Sequence, residues 1–223
     1  MAARVAAARV AAARVVTRAA RARATGALPA AACWATACSV AAMLFAAPCA
    51  GADPPAAPAK AQVCAGCHGA AGLAGNPLMP SINGQPRQFI ATELFQFREG
   101  HRQNEMMSPM AAGMENQELN ALAAYFAAQP PDPPSHKSDP QKAERAKQLT
   151  KQLNCVSCHG PALMGQQHIP RLAGQQYEYV RAQLRGFKAT TRADIDGLMT
   201  SAAQPLSDED IDAVADYVAG LAP

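Results

Sequence analysis

Two short stretches concentrate the residues that could do chemistry. "VCAGCHGAAGLAG" from Val63 holds Cys64, Cys67 and His68, and "NCVSCHGPALMG" from Asn154 holds Cys155, Cys158 and His159. The copies lie 91 residues apart with no cysteine between them. Three chemistries compete for Cys-x-x-Cys-His. A redox dithiol needs only the two cysteines, near a βαβ pattern, and no strand-rich segment flanks either copy. A zinc site would take two Cys-x-x-Cys pairs but gives no reason for a histidine directly after each. Covalent haem uses every member: two thiols one helical turn apart add across the porphyrin's vinyl groups, and the adjacent imidazole supplies a nitrogen to iron. Two covalently bound haem c groups are therefore expected, on Cys64 and Cys67 and on Cys155 and Cys158, with His68 and His159 as iron ligands.

The sixth iron ligand decides the chemistry. Histidine gives a low potential, methionine a high one, and an open position admits small molecules. The chain tests this itself, because it is duplicated. At an offset of 90, Pro80 matches Pro170, Gly84 and Gln85 match Gly174 and Gln175, and Leu94, Phe97 and Arg102 match Leu184, Phe187 and Arg192. Further on the offset becomes 92, pairing "ELNALAAYFA" with "DIDAVADYVA". That offset carries Met107 onto Met199, whereas Met106 lands on Leu198 and Met110 on Ala202. Met107 and Met199 are the expected ligands, and Met79, Met106, Met114 and Met164 are expected to pack in the core. His101, His136 and His168 have no counterparts and are expected at the surface, with His168 the one nearest a haem motif.

The elements around these residues read as helix throughout, an all-α chain. Asp139 and Pro140 open "DPQKAERAKQLTKQLN" as cap and first helical residue, and that helix leads straight into Cys155, so the motif is expected to close it. "FIATELFQFREG" and "YVRAQLRGFKAT" are amphipathic. In the last helix Ser207 and Asp210 form a capping box, and Ile211, Val214, Ala215 and Val218 share one face. The organisation is two haem domains, 53–129 and 140–223, joined by a proline-rich linker over 130–139.

Residues 1–52 stand apart. A basic stretch with six arginines and no acid precedes an apolar run and the small residues "CAGA", the order of a secretory signal peptide with cleavage after Ala52. A retained membrane anchor is the alternative, but the run is alanine-rich and ends in small residues. Without this leader 14 basic residues face 17 acidic ones, a net charge of −3, which removes the electrostatic footing for a nucleic-acid partner. Export also leaves all four remaining cysteines in the two motifs. Lys142, Arg145, Lys147 and Lys151 crowd the helix before the second motif, either as a solvated face or as a docking patch.

With the paired motifs, "PSINGQ" and "PRLAGQ", the two methionine regions and the helices ending "AAYFAAQ" and "ADYVAG", residues 58–223 resemble the di-haem cytochrome c4 family. The resemblance implies one small helical fold per haem and an electron path between them. It implies that the Pro80 and Pro170 carbonyls orient His68 and His159. It further implies a periplasmic electron carrier, not an enzyme, with no small-molecule substrate and possible peripheral membrane association. Its redox partners would be a quinol-oxidising complex or a dehydrogenase as donor and a terminal oxidase, of cbb3 type, as acceptor. A cytochrome subunit of a larger enzyme, such as a flavocytochrome sulfide dehydrogenase, is the alternative. A di-haem peroxidase would need an iron with an open position.

Overall fold

The computed structural model describes residues 57–69 and 76–223. The expected leader and its cleavage point lie outside these. Regular structure among the described residues is helical, apart from an isolated bridge between Gln166 and Ile169. Four helices form the first half: α1 (Ala61–His68), α2 (Arg87–Arg98), α3 (Met107–Ala111) and α4 (Asn116–Ala128). Five form the second: α5 (Pro140–Gln152), α6 (Cys155–His159), α7 (Tyr177–Lys188), α8 (Leu198–Ala203) and α9 (Asp208–Gly220). Helix α7 repeats α2, α8 repeats α3 and α9 repeats α4.

Each half buries its own apolar stripe. Ile90 and Leu94 of α2 meet Leu119, Leu122 and Phe126 of α4, with Met114 beneath them. Val180, Leu184 and Phe187 of α7 meet Ile211, Val214 and Val218 of α9, the face expected from the spacing. Each such side chain contributes roughly 1.5–3 kcal/mol on burial. Helix α9 has a complete capping box between Ser207 and Asp210, whereas Glu115, at the same place before α4, makes no side-chain cap.

One expectation is corrected. The helix before the second motif does not run into it: α5 stops at Gln152, and Asn154 sits in the left-handed region at φ 56° before α6 begins. Asparagine tolerates that conformation better than most residues, so it breaks the helix and re-aims the motif.

Glycine is needed at two equivalent turns. Gly84 (φ 64°) and Gly174 (φ 68°) each donate an N–H to a carbonyl near the end of their half's last helix, Phe126 at 3.0 Å and Val218 at 2.9 Å. A Cβ on Gly84 would stand 2.9 Å from Pro131 Cβ, so a side chain there would push the linker away.

The segment over 130–139 is irregular but tied down. His136 stacks on Tyr177 with centroids 5.0 Å apart, and its Nε2 lies 2.7 Å from Asp216 Oδ1. Ser138 Oγ donates to the Asp216 carbonyl, and the Asp139 N–H to its carboxylate. His136 is therefore half-buried rather than a surface residue. Its neighbours come from two helices distant in sequence, which pattern reading cannot bring together.

Candidate functional site

Helix α1 carries the first motif unbroken, so Cys64 and Cys67 stand one turn apart and His68 ends the helix; α6 repeats this with Cys155, Cys158 and His159. In each pair the first thiol is half-buried and the second exposed, and burial pushes the Cys64 and Cys155 thiols above their ordinary pKa. Both histidines are buried, His68 at 6% exposure and His159 at 3%.

Their rings are fixed in the same way. His68 Nδ1 donates to the Pro80 carbonyl at 2.8 Å and His159 Nδ1 to the Pro170 carbonyl at 2.9 Å, the bonds that the family resemblance implied. A carbonyl only accepts, so the proton must sit on Nδ1 and the lone pair on Nε2. Burial lowers both imidazole pKa values, against the opposing pull of the carbonyl bond, and so favours the neutral form. A neutral imidazole with a free Nε2 and a hydrogen-bonded Nδ1 is what iron requires.

The methionines differ in exposure. Met107 opens α3 and Met199 lies second in α8, both partly buried against their cores. Met106 is 51% exposed and Met110 40% exposed. The segments before the two ligand candidates are anchored differently. Asn104 Oδ1 accepts the N–H groups of Met106 (3.1 Å) and Met107 (2.9 Å). Asp194 accepts Met199 N–H at 2.8 Å, and Thr200 N–H and Oγ1 at 3.1 and 3.0 Å. Although burial works against it, these donors, together with Asp196, hold the Asp194 carboxyl below its ordinary pKa.

Apolar side chains also stand outward in the segments flanking the motifs and methionines: Val63, Leu78 and Met106 in the first half, Met164, Ile195 and Leu198 in the second. Met106 and Met164 were expected in the core, and the structure corrects this. Met106 precedes the first residue of α3 and Met164 lies in the loop after α6, both outside the packed helix faces. Such surface suits a porphyrin face, and with the histidine geometry it makes the residues present fit haem in both halves.

Between the halves lies a set of contacts that repeat reading did not find. Gln85 and Gln175, matched by sequence, each reach across. Gln85 Oε1 accepts the Arg171 N–H at 2.9 Å, and its Nε2 donates to the Arg171 carbonyl at 3.0 Å. Gln175 Oε1 accepts the Ser81 N–H at 2.7 Å, and its Nε2 donates to the Ser81 carbonyl at 2.9 Å. Alongside, the fully buried Arg171 donates to the Asn83 carbonyl and to Ser81 Oγ, which in turn donates to Asp132 at 2.5 Å. A second reciprocal set joins Arg102 to Glu93 and Gln183, and Arg192 to the same two residues.

The basic cluster is partly spent. Lys142 pairs with Asp212 and Arg145 with Asp210, both on α9, which leaves Lys147 and Lys151 exposed without an ion pair among the described residues. His101 is exposed beside Phe95, and His168 is exposed 3.5 Å from Asp196.

Comparison with known proteins agrees with this geometry. Residues 143–222 match the family model "Cytochrome c", and residues 53–126 match "Cytochrome C oxidase, cbb3-type, subunit III". Cytochrome c4 of Thiocapsa roseopersicina is 40% identical over 181 residues, 76% of this chain and 93% of that one. A protein named thiosulfate dehydrogenase electron acceptor, from Thiomonas intermedia (strain K12), is 34% identical over 80% of this chain and 86% of its own. Among solved structures, reduced recombinant cytochrome c4 from Pseudomonas stutzeri superposes with a TM-score of 0.68 at 28% identity, covering 73% of this chain and 95% of that one. The chain belongs to the cytochrome c4 family: it is an electron-transfer protein of two tandem helical haem domains, with two covalently bound haem c groups.

Proposed function

We propose that the chain is a periplasmic carrier that accepts one electron per haem from a dehydrogenase or a quinol-oxidising complex and delivers them to a terminal oxidase. Cys64 and Cys67 would hold one haem and Cys155 and Cys158 the other, with His68 and Met107 as the residues that would ligate the first iron and His159 and Met199 the second. Bound there, each haem supplies a one-electron iron couple. The protein's own work is orientation: the Pro80 and Pro170 carbonyls hold each imidazole proton on Nδ1, which leaves the Nε2 lone pair as the group that would bind iron. That repeated histidine–carbonyl bond is the observation that carries the proposal. A histidine and a methionine committed to each iron would favour electron transfer over reaction with oxygen or peroxide.

A second reading has specific support. Relatives named thiosulfate dehydrogenase electron acceptor, at 34% and 37% identity, favour a sulfur-oxidising dehydrogenase as the donor, and they sit close to the alternative of a cytochrome subunit within a larger dehydrogenase. The cbb3-type match of residues 53–126 is a likeness of the first haem domain to a subunit of that oxidase. An oxidase of that type as acceptor rests on the family resemblance.

One optical redox titration of the purified holoprotein, with its intact mass, tests the reading. Two haem additions and two low-spin couples with methionine-to-iron absorption are expected; one haem, or a high-spin iron, overturns it. Rapid reduction by a thiosulfate-oxidising dehydrogenase, with slow reduction by a quinol-oxidising complex, would select the second reading of the donor.

A further inference from the structure

The cross-domain glutamines touch the same two peptide groups that hold the histidines. The peptide joining Pro80 to Ser81 accepts His68 Nδ1–H at its oxygen and offers its N–H to Gln175 Oε1. The peptide joining Pro170 to Arg171 accepts His159 Nδ1–H and offers its N–H to Gln85 Oε1. Oxygen and nitrogen of one peptide are conjugated, so a bond accepted from its N–H polarises its carbonyl. Bonds in such a chain strengthen one another, most of all away from water. Gln85, Gln175, Ser81 and Arg171 are all buried.

We propose that each glutamine is a positioning residue for the histidine of the opposite half, so that each domain tunes the other's haem. The proposal rests on His68 and His159 being iron ligands. A glutamine oxygen on the peptide N–H makes the proline carbonyl a better acceptor. That carbonyl draws the Nδ1 proton and makes Nε2 a stronger donor to iron. Stronger donation favours the ferric state and lowers the potential. The effect crosses the domain boundary in both directions, Gln85 to His159 and Gln175 to His68.

The test uses the full holoprotein and two variants, Gln85→Met and Gln175→Met, similar in length but without the amide. Each haem's potential is followed through its own haem methyl resonances in an NMR-monitored redox titration. For Gln85→Met the second haem should become easier to reduce by about threefold to tenfold, or about 30–60 mV at about 59 mV per decade. The first haem should hold to within about twofold. Gln175→Met should show the reverse. In the ferrous protein the Nδ1–H resonance of the opposite histidine should move upfield as its hydrogen bond weakens.

A shift in the haem of the mutated half, an equal shift in both, or no shift overturns the proposal. Methionine methyl resonances displaced by two low-spin haems in the unmodified protein establish the ligation independently. If they are present and the crossed shift is absent, only the tuning role falls.

Discussion

The two halves hold their histidines alike and their methionines differently. At the histidine end the bonds are 2.8 and 2.9 Å to equivalent proline carbonyls. At the methionine end a neutral amide, Asn104, anchors Met107, whereas a carboxylate, Asp194, anchors Met199. The second half also closes its last helix with a full capping box that the first half lacks. Duplication has kept the histidine–carbonyl bond and let the parts that set charge and rigidity drift. If both halves use the proposed His/Met pairs, this difference in anchoring is what would set their potentials apart.

The strongest test of this comparison removes the methionines. Met107→Ala and Met199→Ala should each abolish about half of the methionine-to-iron band and lower that haem's potential on the order of 0.2 V, within the ~0.8 V that axial ligation spans. An equal loss from Met106→Ala or Met110→Ala, with Met107→Ala silent, would show that the two halves bind iron through unmatched residues.

A smaller effect separates the caps. Ser207→Ala should cost about 1 kcal/mol of stability in urea unfolding of the holoprotein, and Glu115→Ala less than about 0.5 kcal/mol. The box also carries a pH limit. Arg145 first, and then Ser207 against the cost of burial, hold the Asp210 carboxyl below its ordinary value. A depressed carboxyl stabilises the fold above its unfolded pKa of about 4, and the gain is lost as pH falls through the lower folded value. The Ser207→Ala penalty should therefore shrink in strong acid. A penalty that holds constant down to full protonation of Asp210 would break the link between cap and charge.

The smallest expected effect isolates the anchor's charge. Asp194→Asn makes the second half resemble the first and should raise the second haem's potential by about 30 mV, about threefold at 59 mV per decade. Asn104→Asp should lower the first by a similar amount. If both exchanges leave the potentials in place, the carboxylate serves only as a hydrogen-bond acceptor for the loop.

Much of this was legible because the chain is written twice. The motifs named the cofactor, and Ser207 with Asp210 announced the capping box at three-residue spacing. What escaped reading was contact between the copies. The offset of 90 paired Gln85 with Gln175, but matching positions says that two residues are alike, not that each faces the other's neighbour. Asn154 escaped for another reason: a single left-handed residue ends α5 without proline or glycine to mark it. His136 follows the linker's four prolines, and its carboxylate partner on α9 is 80 residues away. Lys142 and Arg145 looked like a patch because their partners on α9 are 70 and 65 residues distant.

The reciprocal glutamine pairing has an evolutionary consequence. Exchanging the halves maps Gln85 on Arg171 onto Gln175 on Ser81, which is the signature of an isologous contact. A single-haem ancestor bearing one such glutamine would have had the means to form a twofold homodimer through this surface, with its electron path already spanning two subunits. Fusing the copies turns that association into an intramolecular one, independent of concentration. It also releases a constraint. Subunits of a homodimer must carry the same residue at each position, while a fused chain is free to place Ser81 opposite Arg171 and Asn104 opposite Asp194. The gain from fusion is then freedom to differ: two centres that a homodimer holds identical can diverge within one chain.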